Sequence, residues 1–438
     1  MASLPLDDYP DRFALANELH ARPFPELRAP CRAAHIAIMP ERDAAERDRA
    51  RDLDHLCALL DRHGAPRPAP GANHHSARLG RAFLKWEQHT EFVTYTLFVP
   101  GLGDTPFDGS AHALFPDDWL GSAPGRVLTS CLVRVEDDRG QADDDTLAAL
   151  FVPESLAISR VIDGAATIAG DFRIDQNGHV RFAVLAAPGT GERRLGRIVQ
   201  RALEIETYKA AAMLTLPHAR MVAGRVAELD RDLAQVVARM AASNGGDEGA
   251  DAATLDRLLH IAAEVERLSA ETAFRFGAAG AYAAIVAQRI EVLREERSAS
   301  RQTLAEFMMR RFDPAMRTCR SAEIRLTGLG QRAQRAANLL RTRVDVGNSR
   351  QNVEVLRRMD ERAALQLRLQ ETVEGLSVVA ISYYAVSLAA NLLKPAGKAA
   401  GLSEAGVYAL LTPPVVLAVW AMVRRLRARV AARERGQR

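Results

Sequence analysis

The chain has 438 residues, more than one hydrophobic core usually serves, so one or two domains with something added to them are expected. Lys plus Arg total 58 against 55 for Asp plus Glu, a formal charge of +3, which leaves no chain-wide basic field and disfavours nucleic acid as a partner. The cysteines, Cys31, Cys57, Cys131 and Cys319, are scattered without a C-x-x-C pair, which argues against a disulfide scaffold and a zinc knuckle and for a reducing compartment.

The first residues lack the basic and apolar regions of a secretory signal. They lead into Asn17-Glu18-Leu19-His20-Ala21-Arg22, where Pro23 and Pro25 fix the following backbone as extended or turned. Rigid presentation of His20 and Arg22 suits anion or substrate binding; a capping segment in which Arg22 pairs with a carboxylate is the favoured reading of the same residues. Up to residue 190, segments at 35–39, 84–99, 126–135, 166–174 and 180–185 read as strands of a mostly antiparallel sheet, the last two joined by a turn at Gln176-Asn177-Gly178. Helical spacing at 41–62 and 143–150 makes residues 1–190 an α+β domain. Residues 64–71 and 100–116 read as loops, and His74-His75 as a polar loop pair with no role.

On a strand over 84–99, a period of two puts Lys85, Glu87, His89, Glu91 and Tyr95 on one face and Trp86, Gln88, Thr90, Phe92 and Thr94 on the other. Two carboxylates would flank one imidazole, an arrangement able to hold a metal or set up a general base. A solvated or cross-strand-paired face is the more frequent meaning of such a pattern. Glu87, His89 and Glu91, with His20 and Arg22, are therefore the weak catalytic candidates; Asp171 and Arg173 are equally ambiguous. No metal site and no cofactor are expected, since the phosphate-loop, dinucleotide, zincin and nucleophile-elbow signatures are all missing from the sequence.

From Leu195 onward apolar residues recur at three- and four-residue steps, so residues 191–375 read as helical. The helix from Gly196 carries Arg197, Arg201, Glu204 and Tyr208 at turn spacing, Pro217 separates it from the next, and a Gly-rich turn at 243–249 predicts an antiparallel helical hairpin. Over 353–373, Val353, Leu356, Met359, Ala363, Leu367 and Val373 form a stripe on a stalk, either packed on its own domain or forming an intersubunit coiled coil.

The 18 residues that begin at Leu376 and end at Leu393 carry no charge and as helix would cover about 27 Å, the depth of a bilayer core. A second uncharged run begins at Gly406 and ends at Val423, broken by Pro413-Pro414, so 376–423 reads as a two-helix transmembrane hairpin. The tail, 424–438, holds seven arginines against Glu434, which predicts cytoplasmic N- and C-termini at an inner membrane.

Several segments stand out together: Asn17-Glu18-Leu19-His20-Ala21-Arg22-Pro23-Phe24, Lys85-Trp86-Glu87-Gln88-His89-Thr90-Glu91-Phe92, Asp171-Phe172-Arg173-Ile174, Gly196-Arg197-Ile198-Val199-Gln200-Arg201 and Glu371-Thr372-Val373-Glu374-Gly375-Leu376-Ser377. On these the chain resembles a bacterial family of uncharacterised membrane-anchored proteins, the domain of unknown function 3422 type. That resemblance implies an inner-membrane protein and brings no activity with it. In layout alone the chain is also similar to the CorA-type magnesium channels, although Asn391-Leu392-Leu393-Lys394-Pro395 stands where those carry Gly-Met-Asn. The reading that needs least is a non-enzymatic scaffold or regulatory protein, self-associating, bound to the bilayer and to another protein. The alternatives are a CorA-like oligomeric channel and a membrane-tethered enzyme with a Glu/His site.

Overall fold

The computed structural model describes residues 6–18, 23–40, 47–138, 144–242, 248–298, 301–399 and 403–435. After a short helix α1 (Arg12–Glu18), the β-branched and alternating segments of the first half form strands β1 (Cys31–Met39), β2 (His74–Leu79), β3 (Ala82–Gln88), β4 (Val93–Pro100), β5 (Arg126–Asp137), β6 (Ala157–Val161), β7 (Ala166–Ile174) and β8 (Val180–Ala186). With a two-residue β9 (Glu296–Arg297), they make one nine-stranded sheet in the order β2-β3-β4-β1-β5-β8-β7-β6-β9. All its strand pairings are antiparallel except β5 with β8, so the α+β class and mostly antiparallel sheet expected from the sequence are observed.

Both faces of the sheet are covered, which explains why central β1 is buried along nearly its whole length. On one face Ala34, Ile36, Ile38, Leu84, Trp86, Tyr95 and Leu97 pack with Leu56, Leu59 and Leu60 of α2 (Arg49–Arg62) and with Trp119 of α3 (Asp117–Gly121). Farther along the same layer, α4 (Asp144–Ala148) and the turn after it bring Leu147 and Phe151 onto Ile158, Ala169 and Leu185. On the other face Cys131, Val133, Val135, Phe182 and Val184 meet Leu195, Ile198, Val199, Ala202 and Leu203 of α5 (Glu192–Met213).

Local chemistry fixes several of these joins. Asp48 caps α2 by accepting from the Ala50 amide at 3.0 Å. The β7–β8 turn closes as an Asx-type turn, Asp175 Oδ1 accepting from the amides of Asn177 and His179 at 2.9 Å each, with Gly178 at φ +87°. Pro217 stands in the first turn of α6 (Thr215–Ala242), where its missing donor costs nothing.

Two expectations are corrected here. The segment 84–99 is not one strand but the hairpin of β3 and β4, with Trp86 opposite Tyr95 and Lys85 opposite Thr96. The turn removes the period-two relation, so Tyr95 lies on the α2 face, opposite to Lys85, and Glu91 stands in the turn. His74-His75 begins β2, paired with Glu87 and Trp86, and is not in a loop. The helix expected at 41–62 is described from Arg49, and that expected at 143–150 over Asp144–Ala148; residues 41–46 and 139–143 lie outside the described residues.

The chain divides into two units, Met1–Ser243 with Ala252–Ala337, and Asn244–Asp251 with Asn338–Arg438. In the first, α6 and α7 (Glu248–Glu291) run antiparallel, as expected for the hairpin: Arg225 meets Glu264, and Thr215 Oγ1 donates to the Arg275 carbonyl at 3.0 Å. Val222, Val226, Leu229 and Leu233 of α6, Ile261, Val265 and Leu268 of α7, and Leu326, Leu329 and Ala333 of α8 (Leu304–Ala399) are buried at helical spacing. The second unit holds the remainder of α8 and α9 (Glu404–Arg435), with Lys394 Nζ 3.4 Å from Glu404 Oε1.

Residues 23–28 lie along the start of α5, the Leu27 amide donating to the Glu192 carbonyl at 3.1 Å. A Cβ on Gly196 would collide with the Pro25 carbonyl, so only glycine allows this approach. Gly196→Ala is expected to lower stability by about 1–3 kcal/mol, the usual cost of forced overpacking, measured by urea unfolding in detergent with Trp86 and Trp119 as fluorescent reporters, both fully buried in the sheet layer.

Candidate functional site

Beyond β1 the contact between α5 and the sheet becomes largely polar. On β3 and β4, past Phe83 and Phe98, the positions that face α5 are Lys85, Glu87, Thr94 and Thr96, and β1 contributes His35. The covering stripe of α5 changes in step: Gln200, Glu204 and the adjacent pair Thr207 and Tyr208 stand on successive turns. Between them lies a cavity of about 200 Å³, completed by Phe24, Phe98, Leu203 and Arg289 of α7. Buried polar groups gathered around one cavity make it the candidate functional site.

Each group in the cavity has a defined partner. Lys85 Nζ donates to Gln200 Oε1 at 2.9 Å and stands 3.1 Å from Glu87 Oε1. Gln200 Nε2 donates to Glu204 Oε1 at 2.8 Å, and the other oxygen of Glu204 takes the Arg289 guanidinium. Thr207 Oγ1 donates to the Leu203 carbonyl at 2.8 Å, so it accepts from His35 Nε2 at 3.0 Å, and His35 Nδ1 then accepts from Thr96 Oγ1 at 2.8 Å. That relay fixes the neutral tautomer with the proton on Nε2. Burial first, and Lys85 second, push the His35 pKa down to about 3.

His89 is at the end of the cavity, stacked on Phe92 at 4.5 Å between ring centres, with Nδ1 3.4 Å from the Tyr208 hydroxyl and Nε2 3.4 Å from Thr94 Oγ1. His89 and Tyr208 also line a neighbouring cavity of about 280 Å³ with Arg49, Asn73 and Tyr282, so they partition two spaces. The hairpin tip is held from both sides. Arg47 Nη1 donates to the His89 carbonyl at 2.9 Å while pairing with buried Asp52, which also accepts from Gln88 Nε2 at 3.0 Å. Across the tip, Glu91 pairs with Arg275 and accepts from the Tyr282 hydroxyl at 2.8 Å.

Of the sequence candidates, Glu87 and His89 line the cavity, and Glu91 does not: it anchors the turn to α7. His20 and Arg22 lie outside the described residues. Asp171 accepts from the amides of Val152 at 3.0 Å and Arg173 at 3.1 Å, bracing a bulge at Phe172 (φ +53°), and Arg173 Nε donates to Ser155 Oγ at 2.7 Å. Sequence reasoning missed His35, Thr96, Gln200, Thr207 and Arg289. The one available signal was polar residues at inward positions of α5. Among the described residues, no group of three or more His, Cys, Asp or Glu side chains is placed to hold a metal. Both cavity carboxylates have cationic partners, Lys85 for Glu87 and Arg289 for Glu204.

Residues 7–430 match the model of the family described as a protein of unknown function, DUF3422, and the chain belongs to that family. No curated protein and no solved structure matches it. The likeness to CorA-type channels is therefore one of layout alone.

Because folding holds His35 neutral against an unfolded value near 6.5, stability is undiminished above that pH and falls as the pH drops from about 6.5 toward 3. At pH 5 the penalty from His35 reaches about 2 kcal/mol. His55, His112 and His179, whose pKa values burial also lowers, act in the same direction. Urea unfolding at pH 7.5 and 5.0 should show this loss, and His35→Gln should reduce the difference by about 2 kcal/mol; an unchanged difference would mean that His35 is protonated in the folded state.

Proposed function

We propose that this member of the DUF3422 family is a membrane-anchored, non-enzymatic regulatory protein, in which the α+β body and its cavity are tethered to the bilayer through the stalk of α8 and a two-helix hairpin. The observation that carries the reading is the exposure of its two longest uncharged stretches. Both helices contain a segment long and apolar enough to cross a membrane, yet only 17% and 11% of those segments are buried within the chain. A core helix of a water-soluble protein would be covered by its own domain, whereas a spanning helix has lipid against it.

What burial exists supports packed spans. Ser382, Val386 and Ala390 form a stripe at four-residue spacing on α8, and Val407 and Val419 are buried on α9, while Leu376, Val379, Leu388, Leu392, Leu410 and Leu417 face outward. α9 remains helical through Pro413 and Pro414. The arginine-rich tail supports cytoplasmic termini at an inner membrane, through the positive-inside rule.

The same reading takes in self-association. Val353, Leu356, Met359, Leu367 and Val373 are all exposed along the stalk helix, and a second copy is the partner for such a stripe that needs no further component.

Two measurements test these points. Native protein in isolated membranes should stay in the pellet through alkaline carbonate extraction, while Tyr384→Arg with Ala385→Arg, each costing about 2.5–3.5 kcal/mol at mid-bilayer, should move it to the supernatant; equal extraction of both forms would dismiss the anchor. Light scattering of the detergent-solubilised chain should give a mass above that of one 47.8 kDa subunit, and Leu356→Glu with Leu367→Glu should shift it toward the monomer. A native monomer would remove self-association from the reading.

A further inference from the structure

We propose that the cavity at the start of α8 binds a small molecule through its phosphate group, with Arg297, Arg301 and Arg310 taking the phosphate oxygens. The site shares no residue with the cavity beneath α5, and it does not depend on membrane anchoring.

Its walls stand on ordered backbone. After α7 the chain returns to the sheet, where β9 pairs with β6 and Gln302 bridges to Ala157, the Ile158 amide donating to the Gln302 carbonyl at 2.9 Å. Gln302 Nε2 in turn donates to the Leu156 carbonyl at 3.1 Å. Arg297, Arg301 and Gln302 thus come from the sheet edge, while Glu306, Met309 and Arg310 come from one face of the first turns of α8. With Pro153 and Leu156 they enclose a cavity of about 500 Å³.

Charge carries the inference. Three guanidiniums line this cavity against one carboxylate, Glu306, so three minus one leaves a surplus of two positive charges. Glu306 is already engaged, since one oxygen pairs with Arg297 and the other accepts from the Thr303 amide at 3.0 Å. Arg297 Nη1 reaches the Arg301 carbonyl at 3.5 Å, and Arg310 Nη1 reaches Gln302 Oε1 at 3.4 Å. Both guanidiniums therefore converge on adjacent residues of one short segment, and Arg301 belongs to that segment. The half-buried Arg301 side chain has no ion pair and no hydrogen bond among the described residues. All three cations can be reached from solvent: the Arg297 side chain is 52% exposed, Arg310 is exposed, and Arg301 is only half covered.

Shape and size select the ligand. A carboxylate brings one charge and two oxygens, whereas a phosphate monoester brings a charge near −2 and three acceptor oxygens, which matches the surplus. Guanidinium forks suit such a group because they donate two parallel N–H bonds each. The volume lies within the roughly 300–1,000 Å³ of small-molecule sites, so there is room for more than the phosphate itself. Pro153, Leu156 and Met309 offer the remaining body an apolar wall.

The test uses full-length protein in detergent, with thermal unfolding followed at constant ionic strength while sodium chloride is replaced by inorganic phosphate, glycerol phosphate or acetate. A saturable rise in Tm is expected with both phosphates, at an apparent affinity at least several-fold above that for acetate. Arg301→Gln and Arg310→Gln should each weaken phosphate binding roughly ten-fold. Arg311→Gln, at an exposed position of α8 that does not line the cavity, should leave it unchanged. No saturable rise with either phosphate overturns the proposal, as does acetate binding as tightly as phosphate. Equal weakening by Arg311→Gln would reduce the effect to general surface charge and also overturn it. Should Arg301→Gln fail to fold, Arg310→Gln decides alone, and unchanged affinity in that variant dismisses the site.

Discussion

Burying charge between a sheet and a helix constrains everything around it, because each buried donor and acceptor must find a partner when water is removed. Lys85 is nearly inaccessible on β3, and its neighbours follow from that fact. Gln200 must stand opposite it on α5, Glu87 must follow two residues on, and Thr94 and Thr96 must occupy the same face of the paired strand. The apolar half of α5 sets the distance between helix and sheet, since Leu195, Ile198 and Ala202 pack on β5 and β8 as in an ordinary core. The polar half then works at a spacing it did not itself determine. Gly196 allows α5 to receive the 23–28 segment, and with it Phe24, at the edge of the same cavity.

The hairpin tip shows how the site is kept from collapsing or drifting. The His89 ring stands 3.4 Å from Tyr208 and from Thr94, its amide donates to the Phe92 carbonyl at 2.8 Å, its carbonyl is held by Arg47, and the following turn is fastened to α7 through Glu91, Arg275 and Tyr282. Arg47 relies in turn on Asp52, which Gln88 also contacts. The residue that looked most chemical in the sequence is thus a wall between two spaces. Glu91, which looked like its catalytic companion, holds the wall in position.

Much of the fold was legible because it rests on local chemistry: alternation in 126–135 and 166–185, the Asn-Gly turn, the helical period after Leu195, and the charge-free lengths near the C-terminus. The β3–β4 hairpin was not, since residues 89–92 contain no Gly, Pro or Asn and are bordered by β-forming residues on both sides. The turn is imposed by tertiary pairing, with Trp86 against Tyr95 under Trp119, rather than by turn propensity. Missing it placed Tyr95 on the wrong face and Glu91 in the wrong company. The site was legible in part for a similar reason. Glu87 and His89 are close in sequence and could be associated, but His35, Gln200 and Arg289 join them only through β1, α5 and α7 folding together, and no spacing rule reaches across such separations.

The two units present opposite solutions to the same problem of covering apolar surface. In the first, helices and sheet cover one another, and most of the buried polar side chains around the cavity are paired. In the second, a long helix carries Val353, Leu356, Met359, Leu365, Leu367 and Leu369 into the open, followed by uncharged turns that are just as exposed. Helical propensity alone gives marginal stability to an isolated helix in water, and most helices are held by packing of an apolar face. The proposed reading supplies what so exposed a helix lacks, with lipid against the uncharged turns and another helix against the stripe. The arginines and acids interspersed along the stalk, Arg357 with Glu361 and Arg358 with Glu354, keep that segment compatible with water up to the point where charge disappears at Leu376. In the proposed reading, that boundary is where the water-facing stalk ends and the tether begins.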